Sequence, residues 1–126
     1  MSDKNVELMR GAYEDFGRGD IPAVMSIFAE DIEWHCPPVL PQGMEAKGTA
    51  EVGAFFEKLD SLWNGLEVTV DDIVGSDDRV CVIGHAKGEL NGKQTGYGFV
   101  QAWTLRDGAC VRYDEYADPA PEMLAG

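Results

Sequence analysis

From Leu66 onward the chain alternates apolar and polar residues in four runs separated by turn residues, a pattern that leaves little room for anything but an antiparallel meander. The runs are Leu66 to Val74, then Arg79 to Leu90 after the Asp77-Asp78 turn, then the two arms of a hairpin spanning Gly96 to Asp118. Between the second and third runs stands Asn91-Gly92, the dipeptide that a two-residue hairpin turn with two positive φ angles prefers. Such a turn pairs Leu90 with Lys93, and therefore Ala86 with Tyr97 and Val82 with Gln101. Tyr97, Phe99, Gln101, Trp103 and Leu105 then share one face with Val80, Val82, Gly84 and Ala86. Cys81, Ile83 and His85 take the other face with Gly98.

The last hairpin carries the chemistry. Its second arm divides into Val111, Tyr113, Glu115 and Ala117 on one side, and Arg112, Asp114, Tyr116 and Asp118 on the other. Which side meets the aromatic face depends on the turn at Arg106-Asp107-Gly108. A three-residue loop with a bulge at Gly108 sets Phe99 opposite Glu115 and Gln101 opposite Tyr113, matching apolar face to apolar face. A two-residue Asp-Gly turn slips the register and points Asp114 and Asp118 inward instead. The bulged loop is the favoured expectation.

Upstream the pattern is helical. Val6, Met9, Tyr13 and Phe16 recur at helical spacing behind Asp3, an expected cap, and Gly17 and Gly19 end that helix. Asp20 opens a second, short helix with Pro22 in its first turn and Val24, Ile27 and Phe28 buried. Ile32 to Cys36 reads as a strand with Trp34 and Cys36 on one face. Pro37, Pro38, Pro41 and Gly43 make an irregular loop suited to rim a pocket. Thr49 is the expected cap of a third helix with the stripe Val52, Phe55, Phe56, Leu59 and Leu62. Helices followed by a meander imply an α+β fold: a curved antiparallel sheet of about four to six strands, covered by three helices and enclosing an apolar pocket. The 126 residues suit one domain, 1–126, and residues 119 to 126 read as a loose tail.

A net charge of −13 argues against nucleic acid, an anionic membrane or a polyanionic substrate, and suits a neutral ligand. Cys36, Cys81 and Cys110 are odd in number and lack metal spacing, so reduced thiols in a cytoplasmic protein are expected. Two distant histidines give no metal pattern, and neither metal nor cofactor is required.

The segments GRGDIPAVMSIFAEDIEW, KGTAEVGAFF and RDGACVRYDEYAD, in that order, resemble the SnoaL-like polyketide cyclase family, within the nuclear transport factor 2-like and ketosteroid isomerase-like superfamily. The resemblance spans nearly the whole chain. It implies a cone-shaped α+β barrel with a deep apolar pocket, commonly in a dimer, and specifies the fold far better than the reaction. The tyrosine and two aspartates of ketosteroid isomerases fall on Ala12, Cys36 and Gln101, so that mechanism is not implied. The acid of limonene epoxide hydrolase falls on Glu115, but its arginine and second acid fall near Val82 and Gly84. The acidic residue of SnoaL-type cyclases also falls nearest Glu115.

Glu115 is thus the candidate acid/base, because burial without a cation raises a carboxyl pKa toward the range useful at neutral pH. A salt bridge to Arg79, Arg112 or Lys87, or plain exposure, is the bland alternative. Gln101 and Tyr97 are expected to orient substrate. Tyr113, Trp34, Phe55, Phe99, Trp103, Tyr13 and Cys36 are expected around the ligand. Cys36 as a nucleophile is disfavoured, since His35 beside it points to the opposite face and His85 lies on the outer side. The expected function is a cofactor-independent cyclase, isomerase or dehydratase acting on a neutral, hydrophobic, ring-containing molecule. A homodimer through the outer sheet face is expected, and the alternatives to catalysis are a non-catalytic binding or sequestering module or a structural dimerisation domain.

Overall fold

The computed structural model describes residues 2–121 and 123. The elements run α1 (Ser2–Gly17), α2 (Ile21–Met25), β1 (Phe28–Cys36), β2 (Met44–Lys47), α3 (Thr49–Leu62), β3 (Trp63–Ser76), β4 (Arg79–Leu90), β5 (Lys93–Arg106) and β6 (Ala109–Pro119). The strands form a single curved, unclosed sheet in the order β2-β1-β6-β5-β4-β3. The long strands β3 to β6 are the expected meander. The sheet is antiparallel except where β1 lies parallel to β6, with Trp34 opposite Tyr113. This pairing joins the N-terminal part of the sheet to its last strand.

Local chemistry explains the boundaries. Asp20 caps α2, its side chain accepting from the Ala23 N–H at 3.1 Å, and Pro22 occupies the first turn. The helix stops at Met25, so Phe28 opens β1 instead of extending α2. Two expected caps lie inside their helices. Asp3 sits in the first turn of α1, where its charge still favours the helix dipole, and Thr49 is the first residue of α3 behind Gly48. The short β2 was not anticipated, because four residues after a proline-rich loop carry too little alternation to stand out.

The two tight turns share one geometry. Asn91 and Gly92 have φ of 53° and 81°, and Leu90 pairs with Lys93 as the sequence requires. Asp107 and Gly108 have φ of 52° and 80°, so the expected three-residue loop is replaced by a two-residue turn joining Arg106 to Ala109. That turn alone would have rotated Glu115 outward. It does not, because a bulge follows: Leu105 pairs with Cys110, but Thr104 pairs with Arg112, leaving Val111 as the extra residue. Beyond the bulge Gln101 faces Glu115, Trp103 faces Tyr113 and Phe99 faces Ala117, two places from the expected partners. The faces still match, which is what burial demands.

The helices cover the concave face. Between helices and sheet, Met9, Ile32, Val52, Val80 and Val82 are fully buried. At Gly84 the missing side chain is a packing requirement. A Cβ there would lie 2.2 Å from the Thr69 carbonyl oxygen and 2.9 Å from the Phe99 ring, so glycine lets that ring settle onto the sheet. The convex face is open and partly apolar, with Val74, Ile83, Val100 and Tyr116 exposed. The expected loose tail is partly docked. Pro119 still belongs to β6, the Ala120 N–H donates to the Gly96 carbonyl at 3.0 Å, and Met123 packs against the core. Residues 122 and 124–126 of that tail lie outside the described residues. No helix among the described residues is long and apolar enough to cross a membrane.

Candidate active site

Alternation along β6 turns Glu115 into the concave face, where it is 2 % exposed. Neighbouring strands supply its surroundings. Tyr113, two residues earlier on the same face, donates its hydroxyl to Glu115 Oε1 at 2.5 Å. Cys36, at the end of β1, donates its thiol to the same oxygen at 3.6 Å. Oε2 is buried with no hydrogen-bond partner among the described residues.

The bland reading, an ion pair with a neighbouring cation, is not what the structure holds. Arg112 is committed on the outer face, to Asp114 at 2.9 Å and to Glu33 at 3.4 Å. Arg79 and Lys87 are exposed. Burial therefore raises the Glu115 pKa, and the neighbouring polar groups of Tyr113, Gln101 and Cys36 offset part of that rise. The same burial, reinforced by the Glu115 charge, pushes the Tyr113, Tyr97 and Cys36 pKa values up, so all three stay protonated donors at neutral pH.

Around this carboxyl lies a cavity of about 70 Å³. Ala12, Tyr13 and Phe16 of α1 and Phe55, Phe56 and Leu59 of α3 form its roof, with Trp34, Trp103 and Tyr113 from the sheet as its floor. The floor is tightly packed: Trp34 stacks on Tyr113 with ring centroids 4.0 Å apart, and Trp103 meets Tyr113 at a tilt with centroids 4.5 Å apart. The volume exceeds what one water needs and falls short of the ~150 Å³ known to accept benzene in an apolar cavity. A ring-sized guest therefore has to push aside the half-buried Phe16 and Phe56.

Most of the expected residues meet here, in somewhat different roles. Gln101, Tyr97, Tyr113, Trp34, Phe55, Trp103 and Tyr13 all line the cavity with Glu115. Phe99 and Cys36 do not line it: Phe99 sits behind Tyr97 on Gly84, and Cys36 backs the carboxyl. Gln101 and Tyr97 were expected to meet substrate, yet both are engaged. Trp103 Nε1 donates to the Tyr13 hydroxyl at 3.0 Å, and that hydroxyl donates to Gln101 Oε1. Gln42 Nε2 donates to the Tyr97 hydroxyl at 3.0 Å, while Gln42 Oε1 accepts from Trp63 Nε1 at 3.1 Å.

Gln42 is the site residue that sequence reasoning missed. It is 1 % exposed, lines the cavity and ties the proline-rich loop to β5 and β3. A lone glutamine in a loop has no periodicity to betray it. Leu66 and Val68, which line the cavity from β3, were foreshadowed by the alternation of that strand. Among the described residues no cluster of His, Cys, Asp and Glu is arranged to hold a metal ion.

Comparison with known proteins agrees with this architecture. A family profile described as the SnoaL-like domain matches residues 9–113. The chain belongs to the SnoaL-like family. Among solved structures, the SnoaL-like chain is similar to an NTF2-like protein of unknown function from Burkholderia pseudomallei K96243, at 28% identity over 94% of this chain and 92% of that one, with a TM-score of 0.85. It is also similar to TerC, co-crystallised with polyporic acid, at 27% identity over 90% of this chain and 91% of that one, with a TM-score of 0.81. AclR, a putative hydroxylase from Streptomyces galilaeus, superposes at a TM-score of 0.80 with 15% identity over 99% of this chain and 85% of that one, a likeness of fold alone. No curated protein matches this SnoaL-like chain.

Proposed function

We propose that the protein is a cofactor-independent enzyme that moves a proton on a small, neutral, hydrophobic carbonyl compound, with Glu115 as the acid/base. The observation that carries this reading is a carboxyl 2 % exposed, unpaired with any cation among the described residues and walled by aromatic rings. A carboxyl held that way has its pKa drawn toward neutrality, where proton transfer in both directions is efficient. The aromatic walls exclude water and favour an uncharged guest over an ionic one. The similarity to TerC, which was co-crystallised with polyporic acid, supports a ligand-holding role. Cyclisation, isomerisation and dehydration all use such a group.

The test needs no knowledge of the natural substrate. A panel of cyclic ketones incubated with the protein in D2O exchanges hydrogen for deuterium beside the carbonyl if a buried base works on them. Exchange should be enhanced by the native protein and lost in Glu115→Gln, while ligand binding persists. A protein that binds the ketones and accelerates exchange with none of them is instead a carrier. The binding-only reading has one observation of its own: the cavity is small, and three of its polar groups are already hydrogen-bonded to one another.

A further inference from the structure

We infer that the cavity takes a hydroxylated carbonyl compound, its carbonyl oxygen anchored by Trp34 Nε1 and its hydroxyl paired with Glu115 Oε2. This rests on the same cavity being the working site, and it deepens the proposed function by naming what the ligand must present.

The inference comes from a census of polar atoms at the site. Of the three tryptophans, two have satisfied indole N–H groups: Trp63 donates to Gln42 Oε1 at 3.1 Å, and Trp103 to the Tyr13 hydroxyl at 3.0 Å. Trp34 Nε1 is buried and has no partner among the described residues. Buried donors are nearly always satisfied, and an orphan costs a substantial fraction of a domain's net stability. The other orphan is Glu115 Oε2. The two therefore occur as a pair: one donor and one carboxyl oxygen, on residues that both line the cavity.

The sheet makes them neighbours. Trp34 lies opposite Tyr113 across the parallel β1–β6 pair and stacks on it at 4.0 Å, and Tyr113 holds the other oxygen of Glu115. Cys36, two residues beyond Trp34 on the same face of β1, reaches that oxygen too.

The chemistry of the guest follows from what each orphan needs. An indole N–H only donates, so the ligand must offer an acceptor to Trp34. Glu115 Oε2 accepts when the carboxyl is ionised and donates when it is protonated. A hydroxyl is the simplest group that satisfies Oε2 in either state, because it both donates and accepts. An acceptor and a hydroxyl on one small apolar frame describe a hydroxy ketone. Tyr13 has spent both its donor and its acceptor, and Gln101 Oε1 and the Tyr97 oxygen each already accept a bond, so these three act first as supports.

Three probes of one size separate the contributions: 3-hydroxycyclohexanone, cyclohexanone and methylenecyclohexane, added to protein labelled with ¹⁵N. The three indole N–H signals report directly. Without ligand, the Trp34 signal should lie upfield of those of Trp63 and Trp103. Both ketones should move it downfield and leave the other two nearly unchanged, whereas the hydrocarbon should not. The hydroxy ketone should bind more tightly than cyclohexanone, and cyclohexanone about tenfold more tightly than the hydrocarbon, the ratio expected for one buried hydrogen bond. Trp34→Phe keeps a ring in place and should erase the difference between ketone and hydrocarbon.

A Trp34 signal unmoved by a bound ketone overturns the inference, as does equal affinity for ketone and hydrocarbon or no binding by any probe. If Trp34→Phe retains full ketone affinity while Glu115→Gln still abolishes deuterium exchange, this inference falls and the proposed function stands.

Discussion

Replacing Glu115 by Gln tests the burial argument through stability alone, without any substrate. The folded protein raises the Glu115 pKa by desolvation, whereas the unfolded chain leaves it at its ordinary value. Between those two values the folded state holds a proton that the unfolded state has released. Stability therefore falls as pH rises through that window, at about 1.4 kcal/mol per pH unit, and levels off above the folded pKa. The contribution is most favourable below the unfolded pKa, the opposite of a salt-bridged carboxylate. For 126 residues at ~2.1 cal/mol/K each, the melting entropy is about 0.26 kcal/mol/K, so each pH unit in the window lowers Tm by about 5 °C. A glutamine of nearly the same shape keeps an acceptor for Tyr113 and has no charge to desolvate. Glu115→Gln should thus match the native protein at pH 4.5 and exceed it increasingly above that. The assay is urea unfolding of both proteins between pH 4.5 and 9, read as the difference so that the other acidic groups cancel. A constant difference across that range, or a variant that loses ground as pH rises, refutes the claim that this carboxyl is buried against its own charge.

The remaining predictions concern the frame around the site. Gly84→Ala should destabilise by about 1–3 kcal/mol in denaturant unfolding, because the new methyl collides with the Thr69 carbonyl and the Phe99 ring. Among the cysteines, half-buried Cys81 should be titrated first by a thiol reagent at pH 8. Buried Cys36 and Cys110, the latter with its pKa pushed up to about 12, should react only after unfolding. For the expectation that two copies pair across the convex face, Ile83→Lys in the middle of that face should shift sedimentation from dimer to monomer with the fold intact. A native protein that sediments as a monomer removes that expectation outright.

How far the sequence led depended on whether a decision was local. Asn91-Gly92 set its own register, because two adjacent residues with positive φ fix the turn and nothing else competes. Asp107-Gly108 has the same local geometry, yet the register beyond it depends on a bulge at Val111. That bulge is not written in the turn. It belongs to the place where β6 meets both β5 and the start of β1, with Cys110 N–H donating to the Ile27 carbonyl at 2.7 Å. The inward position of Glu115 was still legible, because face matching constrains the outcome whichever way the slip is absorbed. The state of the polar groups was not legible. Gln101 and Tyr97 look available from the strand pattern, and only the packing of α1 and the proline-rich loop shows that Tyr13 and Gln42 have claimed them. The orphaned Trp34 is hidden for the same reason, since partnership is a property of the assembled interior.

The parallel contact between β1 and β6 has a consequence for synthesis. Among the described residues, β6 is the only link, within the sheet, between the first two strands and the other three. A polypeptide growing from its N-terminus can zip β3, β4 and β5 early, but β1 and β2 must wait without a neighbour on that side until residue 119 has cleared the ribosome. The carboxyl and both faces of its seat then come together in one closing event. Premature termination after β5 should leave two unjoined halves exposing apolar strand edges, so a fragment lacking only those last residues is expected to aggregate instead of persisting as an inactive but folded remnant.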